Sequence, residues 1–418
     1  MYEALWALKN PERDFPVLQV AGTNGKGSTC AFAAAALSAQ GYKVGLYTSP
    51  HLVRVNERIR VGNEAISDSM LGTRVLEVLE RYPEAKTSPS PLTYFELGTL
   101  VALWHFAKEK VDVAVLEVGL GGRLDATTAT QPAVTAVTPV SFDHMDYLGH
   151  TLAAIAAEKA GIFKPGVPAV VSRQAPEAQE TIERIASEVG SPLRLEGRDF
   201  FLEPEKGKRP QTYAYRGMRT AVRKLWLGLA GRHQIQNAAV AMACLELLED
   251  RGLSISQESA RAGFADVDWP GRLERVEGDP PLLLDGAHNP AGIEALAASL
   301  EDLYPRHAVH LVFGVLADKD HRPMLRALFP RCRSVHLTPL DSPRTLLPQR
   351  YLSEARALCP AAFVHADVGE ALAAAKEAAR QSTKGLVLCC GSLFLVGAVK
   401  RLPLPWGEGR MARCTIGS

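Results

Sequence analysis

Short apolar runs alternate with longer stretches of helical periodicity over the first 170 or so residues. Five of these runs are rich in valine and other strand-forming residues: FPVLQVA (15–21), KVGLYT (43–48), VDVAVLEV (111–118), AVTAVT (133–138) and VPAVVS (167–172). Nearly continuous apolar strands separated by helices are typical of a parallel sheet that is covered on both faces. The pattern therefore predicts a mostly parallel α/β domain.

The pattern changes between residues 193 and 229. The segment TYAYRGMRTAVRKLWL (212–227) is typical of a hairpin around Gly217, which predicts a small antiparallel addition. Helical periodicity returns in HQIQNAAVAMACLELLEDRG (233–252), where apolar residues recur at intervals of three and four and Gly252 marks the end.

A stretch rich in proline and glycine, DVDWPGRLERVEGDPP (266–281), precedes a second series of strands and helices. Its strands are LLLDGAHN (282–289), AVHLVFGV (308–315), SVHLTP (334–339), AFVHA (362–366) and GLVLCCGS (385–392). This series predicts a smaller Rossmann-like α/β domain, in which ligands gather at the carboxyl ends of the strands. We place the two domains at residues 1–272 and 273–418.

Composition narrows the class of protein. A chain of 418 residues with 47% hydrophobic residues fits two globular domains. The 47 Lys and Arg residues balance 46 Asp and Glu residues, so no overall field favours nucleic acid or an anionic membrane. The seven cysteines show no metal-binding spacing, and no apolar stretch reaches the roughly 18 residues of a membrane span. We expect a cytoplasmic monomer with reduced thiols whose partners are small molecules.

The segment VAGTNGKGS (20–28) joins the first predicted strand to a helix through three glycines and Lys26. Backbone amides and a helix N-terminus converge on an anion in this context, and the lysine reaches the outer phosphates of a nucleotide. The first domain is therefore predicted to be of the P-loop ATPase type.

The loop departs from the common P-loop pattern, which has glycine six residues before the lysine and Ser or Thr directly after it. Val20 and Gly27 occupy those positions here, so the usual magnesium-binding hydroxyl is absent. Two alternatives follow: Ser28 or Thr29 replaces it, or the hydroxyl comes from Thr48 and Ser49, which follow the next strand.

Glu117 ends an otherwise apolar strand, where a merely buried carboxylate would be costly, so we predict that it binds Mg²⁺. His144 follows the neighbouring strand and is a candidate ligand for the same ion. The glycine-rich segment 119–128 does not match the dinucleotide fingerprint, because Leu124 stands where that motif needs glycine. We therefore predict no NAD site.

Five phrases together resemble one family: GTNGKGS (22–28), TSPHLVRVNERI (48–59), LEVGLGGRLDAT (116–127), DHMDYLGHTLAAIAAEKAGIFK (143–164) and LDGAHNP (284–290). In this order they resemble the folylpolyglutamate synthase and dihydrofolate synthase branch of the Mur ligase superfamily, along nearly the whole chain. The resemblance implies an ATP-dependent ligase that joins the amine of glutamate to a folate carboxylate through an acyl phosphate. Positioning and charge neutralisation carry such phosphoryl transfer.

The resemblance also implies roles at the nucleotide. Lys26 would act in catalysis, and the phosphates would be bound by Asn24, Gly25, Lys26 and Gly27, with Ser28 beside them. One or two Mg²⁺ ions would be held by Ser49, Glu117, His144 and Lys159, the last as a carbamate. The base and ribose would be contacted by Asn237, Arg272 and Asp285. From the residues alone, Lys159 is better interpreted as an exposed helical lysine paired with Glu158.

The substrate side is implied in the same way. The folate would meet the aromatic pair Tyr94 and Phe95, the loop residues Asp125, Ala126 and Thr127, and a mobile loop with Arg54 and Asn56 facing the ligand. Thr128 departs from the Asn that the family often has next. His288 would act near the incoming glutamate, and Ser392, at a helix start, would contribute to its pocket.

Two other functions fit parts of the sequence. A Mur-type ligase of cell-wall synthesis usually has an additional amino-terminal UDP-sugar domain and the sequence GKTT in the phosphate loop. Here only a short segment precedes the first strand at Phe15, and GKGS stands in place of GKTT. A P-loop nucleotide switch would need no amino-acid site. Glutamate-dependent release of ADP separates the switch from the folate ligase.

Overall fold

The computed structural model describes residues 1–87, 91–207 and 211–403. The chain divides into two compact units. The first comprises Met1–Ser141, Met145–Leu227 and Gln234–Val267, and the second comprises Phe142–His144, Gly228–His233 and the chain from Asp268 onward. Sequence reasoning drew the boundary after residue 272, whereas the structure groups Arg272 and two short earlier segments with the second unit.

The first unit contains an eight-stranded sheet. Its strands are β1 (Val17–Ala21), β2 (Val44–Tyr47), β3 (Ile59–Val61), β4 (Glu64–Ala65), β5 (Val113–Glu117), β6 (Val134–Val137), β7 (Ala169–Val171) and β8 (Leu193–Leu195). The strand order is β4-β3-β2-β5-β1-β6-β7-β8, and pairing is parallel from β2 to β8 and antiparallel at β3 and β4. All five strands predicted in this region are confirmed.

Helices of the first unit cover this sheet. They are α1 (Tyr2–Ala7), α2 (Lys26–Ala39), α3 (Asp68–Arg81), α4 (Glu84–Thr87), α5 (Tyr94–Glu109), α6 (Met145–Leu148), α7 (Leu152–Ala160), α8 (Pro176–Val189), α9 (His233–Leu248) and α10 (Gln257–Asp266). Separate apolar clusters form around Leu103 of α5 and around Ile155 of α7. Every residue of β1 and β5 is buried, as expected for central strands of a sheet with two covered faces.

A small antiparallel sheet completes the first unit, as the sequence predicts. Its strands are β9 (Phe201–Pro204), β10 (Tyr213–Arg216) and β11 (Ala221–Leu225), in the order β11-β10-β9. The buried carboxylate of Glu246 on α9 accepts hydrogen bonds from the Tyr215 hydroxyl (3.0 Å) and from the Thr220 amide (2.8 Å). A Cβ at Gly217 would lie 2.0 Å from that carboxylate, so the turn requires glycine there.

The second unit contains a six-stranded sheet with β12 (Glu274–Val276), β13 (Leu282–Leu284), β14 (Ala308–Phe313), β15 (Ser334–Leu337), β16 (Ala362–Val364) and β17 (Gly385–Cys390). Its order is β12-β13-β17-β14-β15-β16, and only the edge pair β12 and β13 is antiparallel. Its helices are α11 (Pro290–Leu303), α12 (His321–Leu328), α13 (Leu352–Leu358), α14 (Val368–Arg380) and α15 (Leu393–Arg401). The predicted fold class is confirmed, and β12 is an addition.

Across the described ranges, no helix has both the length and the apolar character needed to span a membrane. The six cysteines within these ranges are free thiols, and Cys414 lies outside them.

The buried His310 and His336 and the half-buried His365 of the second unit form a hydrogen-bonded line that includes Ser334. His310 Nδ1 lies 2.7 Å from the Ser334 hydroxyl, that hydroxyl lies 2.9 Å from His336 Nε2, and His336 Nδ1 lies 3.0 Å from His365 Nε2. Burial lowers the pKa of all three side chains, and neighbouring histidines contribute to lowering the pKa of His336 to about 4. The folded unit therefore binds fewer protons here than the unfolded chain.

Acidification from pH 7 to pH 4 should consequently destabilise the second unit. The unfolded chain takes up a proton at His336 near pH 6.5, whereas the folded protein does so only near pH 4, so stability is lost between these values. The loss from this residue is on the order of 3 kcal/mol. Urea denaturation at a series of pH values measures it, and His336→Gln should flatten the profile. An equally steep profile in the variant would contradict the assignment.

Candidate active site

The phosphate loop is built by close backbone packing between β1 and α2. Gly22 and Gly25 have φ values of +146° and +91°, which favour glycine. A Cβ at Gly22 would lie 1.8 Å from the Thr138 hydroxyl oxygen, and one at Gly25 would lie 2.1 Å from Asn237 Oδ1. Both glycines are therefore required by sterics as well as by backbone conformation. The loop ends where α2 begins, at Lys26, so the positive end of a 14-residue helix lies at the loop.

Side chains hold the loop in this shape. The Thr23 hydroxyl donates to the Ser141 carbonyl (3.0 Å) and accepts from the Ser141 amide (3.1 Å), while Asn24 Nδ2 donates to the Ser141 hydroxyl (3.3 Å). Lys26 Nζ bends back to donate to the Thr23 carbonyl (3.2 Å). The ammonium thus lies over the loop, where it can reach a bound phosphate.

The hydroxyls that follow Lys26 face α9. Ser28 and Thr29 are buried; the Ser28 hydroxyl accepts from Gln234 Nε2 and the Thr29 hydroxyl donates to the Asn237 carbonyl, both at 3.4 Å. The choice between these hydroxyls and those of Thr48 and Ser49 as the magnesium ligand stays a prediction. Asn237 itself lies beside Gly25, so it supports the phosphate loop; its predicted contact with the base or ribose stays a prediction.

Glu117 and Ser49 meet at the carboxyl ends of β5 and β2, and their predicted binding of Mg²⁺ stays a prediction. Glu117 ends β5, pairs in register with Val20 of β1, is 5% exposed, and accepts a hydrogen bond from the Ser49 amide (3.1 Å). His144 belongs to the segment that groups with the second unit. Within the described ranges, no three His, Cys, Asp or Glu side chains are clustered for metal binding. A Mg²⁺ site here would therefore use few protein ligands together with phosphate oxygens and water, which suits this ion.

Lys159 is buried at the phosphate loop. The side chain is 3% exposed, and Nζ donates to the Gly22 carbonyl at 2.8 Å. Glu158 instead forms an ion pair with Arg123 at 2.8 Å. The interpretation of Lys159 as an exposed partner of Glu158 is therefore wrong, because adjacent residues of a helix point in different directions. Its predicted position beside the nucleotide stays a prediction.

The loop at residues 119–128 is closed around Asp125. One carboxylate oxygen accepts from the amides of Gly119 (2.9 Å) and Leu120 (3.1 Å), and the other accepts from the amide (3.0 Å) and the hydroxyl (2.6 Å) of Thr127. Burial raises the pKa of Asp125, while these hydrogen bonds oppose the rise. Asp125 and Thr127 thus form the loop, and Ala126 is buried with them. Their contact with a folate stays a prediction.

The two predicted aromatic residues occupy different environments. Tyr94 at the start of α5 is 65% exposed, and the Arg58 guanidinium lies over its ring at 5.6 Å. Phe95 is partly buried, packs on Tyr47 with a centroid distance of 5.9 Å, and supports Gly119, where a Cβ would lie 2.5 Å from the ring. Tyr94 is therefore accessible to a flat ligand, and Phe95 shapes the loop at residues 119–128.

The segment that follows β2 is organised by Glu57, whose carboxylate accepts from the amides of residues 52–54 at 2.7–3.0 Å. Burial alone would raise the pKa of Glu57, but these amides outweigh it and lower the pKa. Arg54 is exposed and pairs with Asp68. Asn56 is buried and donates to Asp68 (3.0 Å), and its predicted contact with the ligand stays a prediction.

In the second unit, Asp285 and Arg272 lie at the carboxyl end of β13. The Asp285 carboxylate accepts from the amides of Leu273 (2.9 Å) and Ala287 (2.8 Å). Arg272 lies over Gly286, where a Cβ would be 2.5 Å from Nη1. The structure thus brings together two of the residues predicted to hold the nucleotide. Ser392 caps α15 by accepting from the Phe394 amide (3.1 Å).

A buried ion pair lies beside His288. Asp143 accepts from Lys319 Nζ (2.6 Å) and from Asn289 Nδ2 (3.0 Å), and lies 3.6 Å from His288 Nε2. Burial works to raise the pKa of Asp143, but His288 and Lys319 outweigh it and hold the pKa far below its ordinary value. Sequence reasoning missed Lys319. Its signal was the Asp-Lys-Asp run (318–320) after β14, at the carboxyl edge of the predicted sheet.

A glycine-rich loop between a parallel strand and a helix, followed by a Rossmann-like unit with charged residues at its strand ends, is the arrangement that the resemblance to Mur ligases implies. Residues 20–245 match the Mur ligase middle domain, and residues 271–393 match the Mur ligase, glutamate ligase domain.

Whole-chain comparisons are more specific. The dihydrofolate synthase/folylpolyglutamate synthase of Bacillus subtilis is 36% identical over 83% of this chain and 82% of its own length. Folylpolyglutamate synthase of Mycobacterium tuberculosis, solved with ADP and AMPPCP, superposes with a TM-score of 0.88 at 33% identity, covering 95% of this chain and 93% of that one. The bifunctional enzyme of Yersinia pestis, solved with AMPPNP and Mn ion, has a TM-score of 0.83 at 33% identity, covering 95% and 91%. The chain belongs to the folylpolyglutamate synthase/dihydrofolate synthase family.

Proposed function

We propose that this protein is an ATP-dependent ligase that forms an amide bond between L-glutamate and a folate, and that it also converts dihydropteroate to dihydrofolate. One observation carries the proposal. The phosphate loop follows β1 and the loop at residues 119–128 follows β5, and these strands are parallel neighbours in register. Both loops therefore lie at the same edge of one sheet, which suits a nucleotide and an acid that must exchange a phosphoryl group.

The reaction needs two steps. The γ-phosphoryl group of ATP moves to a carboxylate oxygen of the folate, which leaves ADP and an acyl phosphate. The glutamate amine then attacks the acyl carbon, loses a proton, and expels inorganic phosphate as the amide forms. The positive end of α2 and Lys26 would stabilise charge on the transferred group, which is the main catalytic demand of such a transfer.

A divalent metal, with ATP, completes the site. Bound Mg²⁺ would neutralise phosphate charge, and the buried carboxylate of Glu117 beside the Ser49 amide is suited to hold it. We propose His144 and a carbamate on Lys159 as the further ligands, for one or two ions. In the second unit, His288 and Ser392 would receive the glutamate, with Lys319 and Asp143 beside His288.

Glu117→Gln should raise the Mg²⁺ concentration that gives half-maximal activity by at least roughly tenfold, because the amide keeps the shape and loses the charge. ADP release titrated with Mg²⁺ measures this change. Glu109→Gln is the matched control, since Glu109 is a surface residue paired with Lys43. An unchanged metal dependence in Glu117→Gln would make that residue structural.

The function itself is tested by one assay. The protein is incubated with ATP, Mg²⁺ and L-glutamate plus either dihydropteroate or a reduced folate, and both ADP and product masses are recorded. A mass increase of one glutamyl residue on each acceptor is expected. ADP release that does not depend on glutamate would indicate a nucleotide switch instead. Glutamate addition to a UDP-linked muropeptide, and to neither pterin acid, would indicate a cell-wall ligase.

A further inference from the structure

Strand β1 has a fully buried glutamine at its centre. Gln19 is 0% exposed, and the other residues of the strand are apolar. Its Nε2 donates to the hydroxyls of Thr127 and Thr128, each at 2.9 Å. We propose that Gln19 is a positioning residue for the acceptor loop (residues 119–130), and that it sets the affinity for the folate rather than for ATP. This inference rests on the proposed function and names a residue that acts through the loop.

The direction of these hydrogen bonds is fixed by the partners of the two hydroxyls. The Thr127 hydroxyl donates to Asp125 (2.6 Å), and the Thr128 hydroxyl donates to the Gly122 carbonyl (2.7 Å). A hydroxyl has one hydrogen, so each of these must accept from Gln19. One NH₂ group therefore donates hydrogen bonds to two adjacent threonines, and each threonine hydroxyl in turn donates to another part of the acceptor loop.

The rest of the acceptor loop depends on the same residues. Asp125 holds the amides of Gly119 and Leu120, at the start of the loop. The Thr127 carbonyl accepts from the Thr130 hydroxyl (2.8 Å), and the Thr128 carbonyl accepts from Lys164 Nζ (3.1 Å). Gln19 thus links the strand that leads into the phosphate loop to the centre of this network.

Gln19 is not explained by stability alone. Its amide oxygen has no protein hydrogen-bond partner among the described residues, and a buried unpaired carbonyl is unfavourable. An apolar side chain of similar length would avoid that cost and would still fill the space. What it would lose is the pair of donors to Thr127 and Thr128. The structure also places the Thr128 hydroxyl inside the protein, where it donates to the Gly122 carbonyl, so Thr128 takes part in loop packing.

Gln19→Met tests the inference, because methionine keeps the shape and removes both donors. The KM for the reduced folate and for dihydropteroate should rise about tenfold, which corresponds to one or two lost hydrogen bonds. The KM values for ATP and glutamate should change less than about twofold, and the melting temperature should be equal or higher. Gln179→Met, on α8, is the matched control and should change none of these values.

Hydrogen exchange provides a measurement that does not need the folate. Amides of residues 119–130 should exchange faster in Gln19→Met, while those of residues 22–28 exchange as in the wild type. Thr128→Val should reproduce part of the rise in the folate KM. The double variant should raise the folate KM by less than the product of the two single increases.

Equal folate KM values in Gln19→Met and wild type would overturn the inference, as would faster exchange across the whole unit. A wild-type protein that adds no glutamate to either pterin acid would refute the proposed function, and exchange would still report on the acceptor loop.

Discussion

Replacing Lys26 by alanine should reduce glutamate-dependent ADP formation by roughly a thousandfold or more. The reason is geometric: the ammonium lies over the phosphate loop, 3.2 Å from the Thr23 carbonyl, at the positive end of α2. Without it, charge that develops on the transferred phosphoryl group loses a mobile cation at the phosphate loop. Steady-state ADP release at saturating ATP measures the effect.

The fold of the Lys26→Ala variant should be intact, because the loop is held by Thr23, Asn24 and Ser141 and by the close packing of Gly22. Circular dichroism and thermal unfolding check this expectation. Lys43→Ala is the control, since Lys43 is a surface lysine paired with Glu109. Turnover near the wild-type rate in Lys26→Ala would show that this lysine does not bind the transferred phosphate.

Lys159→Ala should lower activity by roughly a hundredfold or more, and small carboxylic acids such as acetate should restore part of it. The buried Nζ lies 2.8 Å from the Gly22 carbonyl, so removing the side chain empties a space at the phosphate loop that a small molecule can enter. If the working form is a carbamate, the missing group is an anion that helps to hold Mg²⁺, and a carboxylate replaces it.

The same experiment distinguishes the carbamate from an ordinary ammonium. Methylammonium, and not acetate, should rescue the variant if Lys159 acts as a cation on the Gly22 carbonyl. Glu158→Ala is the matched control on the same helix, because Glu158 pairs with Arg123. Full activity of Lys159→Ala without any addition would remove this residue from the mechanism.

Much of the architecture was predictable because it depends on local periodicity. Each central strand is a short run of apolar residues, and every strand predicted for the first sheet is present. The antiparallel additions β3, β4 and β12 were not predicted. These strands are two or three residues long. β4 and β12 form sheet edges and β3 lies beside β4, and strands this short show little periodicity of their own.

The site was predictable to the same extent. Glycine and lysine spacing located the phosphate loop, and Glu117 was recognisable as a charged residue at the end of an apolar strand. The pairing of Lys319 with Asp143 spans 176 positions of the sequence, and no local pattern connects them. The hydrogen bonds of Gln19 were likewise not predictable, since a single polar residue in a strand does not indicate which groups its amide will contact.

The sequence by itself determined the longer strands and helices of the two sheets, the location of the phosphate loop and the family resemblance, because each depends on neighbouring residues. Only the tertiary structure decided that Lys159 turns into the protein toward Gly22 and that Asn56 is buried. It also decided that Gln19 holds Thr127 and Thr128. The physical reason is that the side chains of a helix or strand point in several directions. Packing against residues far away in the chain decides which of these side chains face the site.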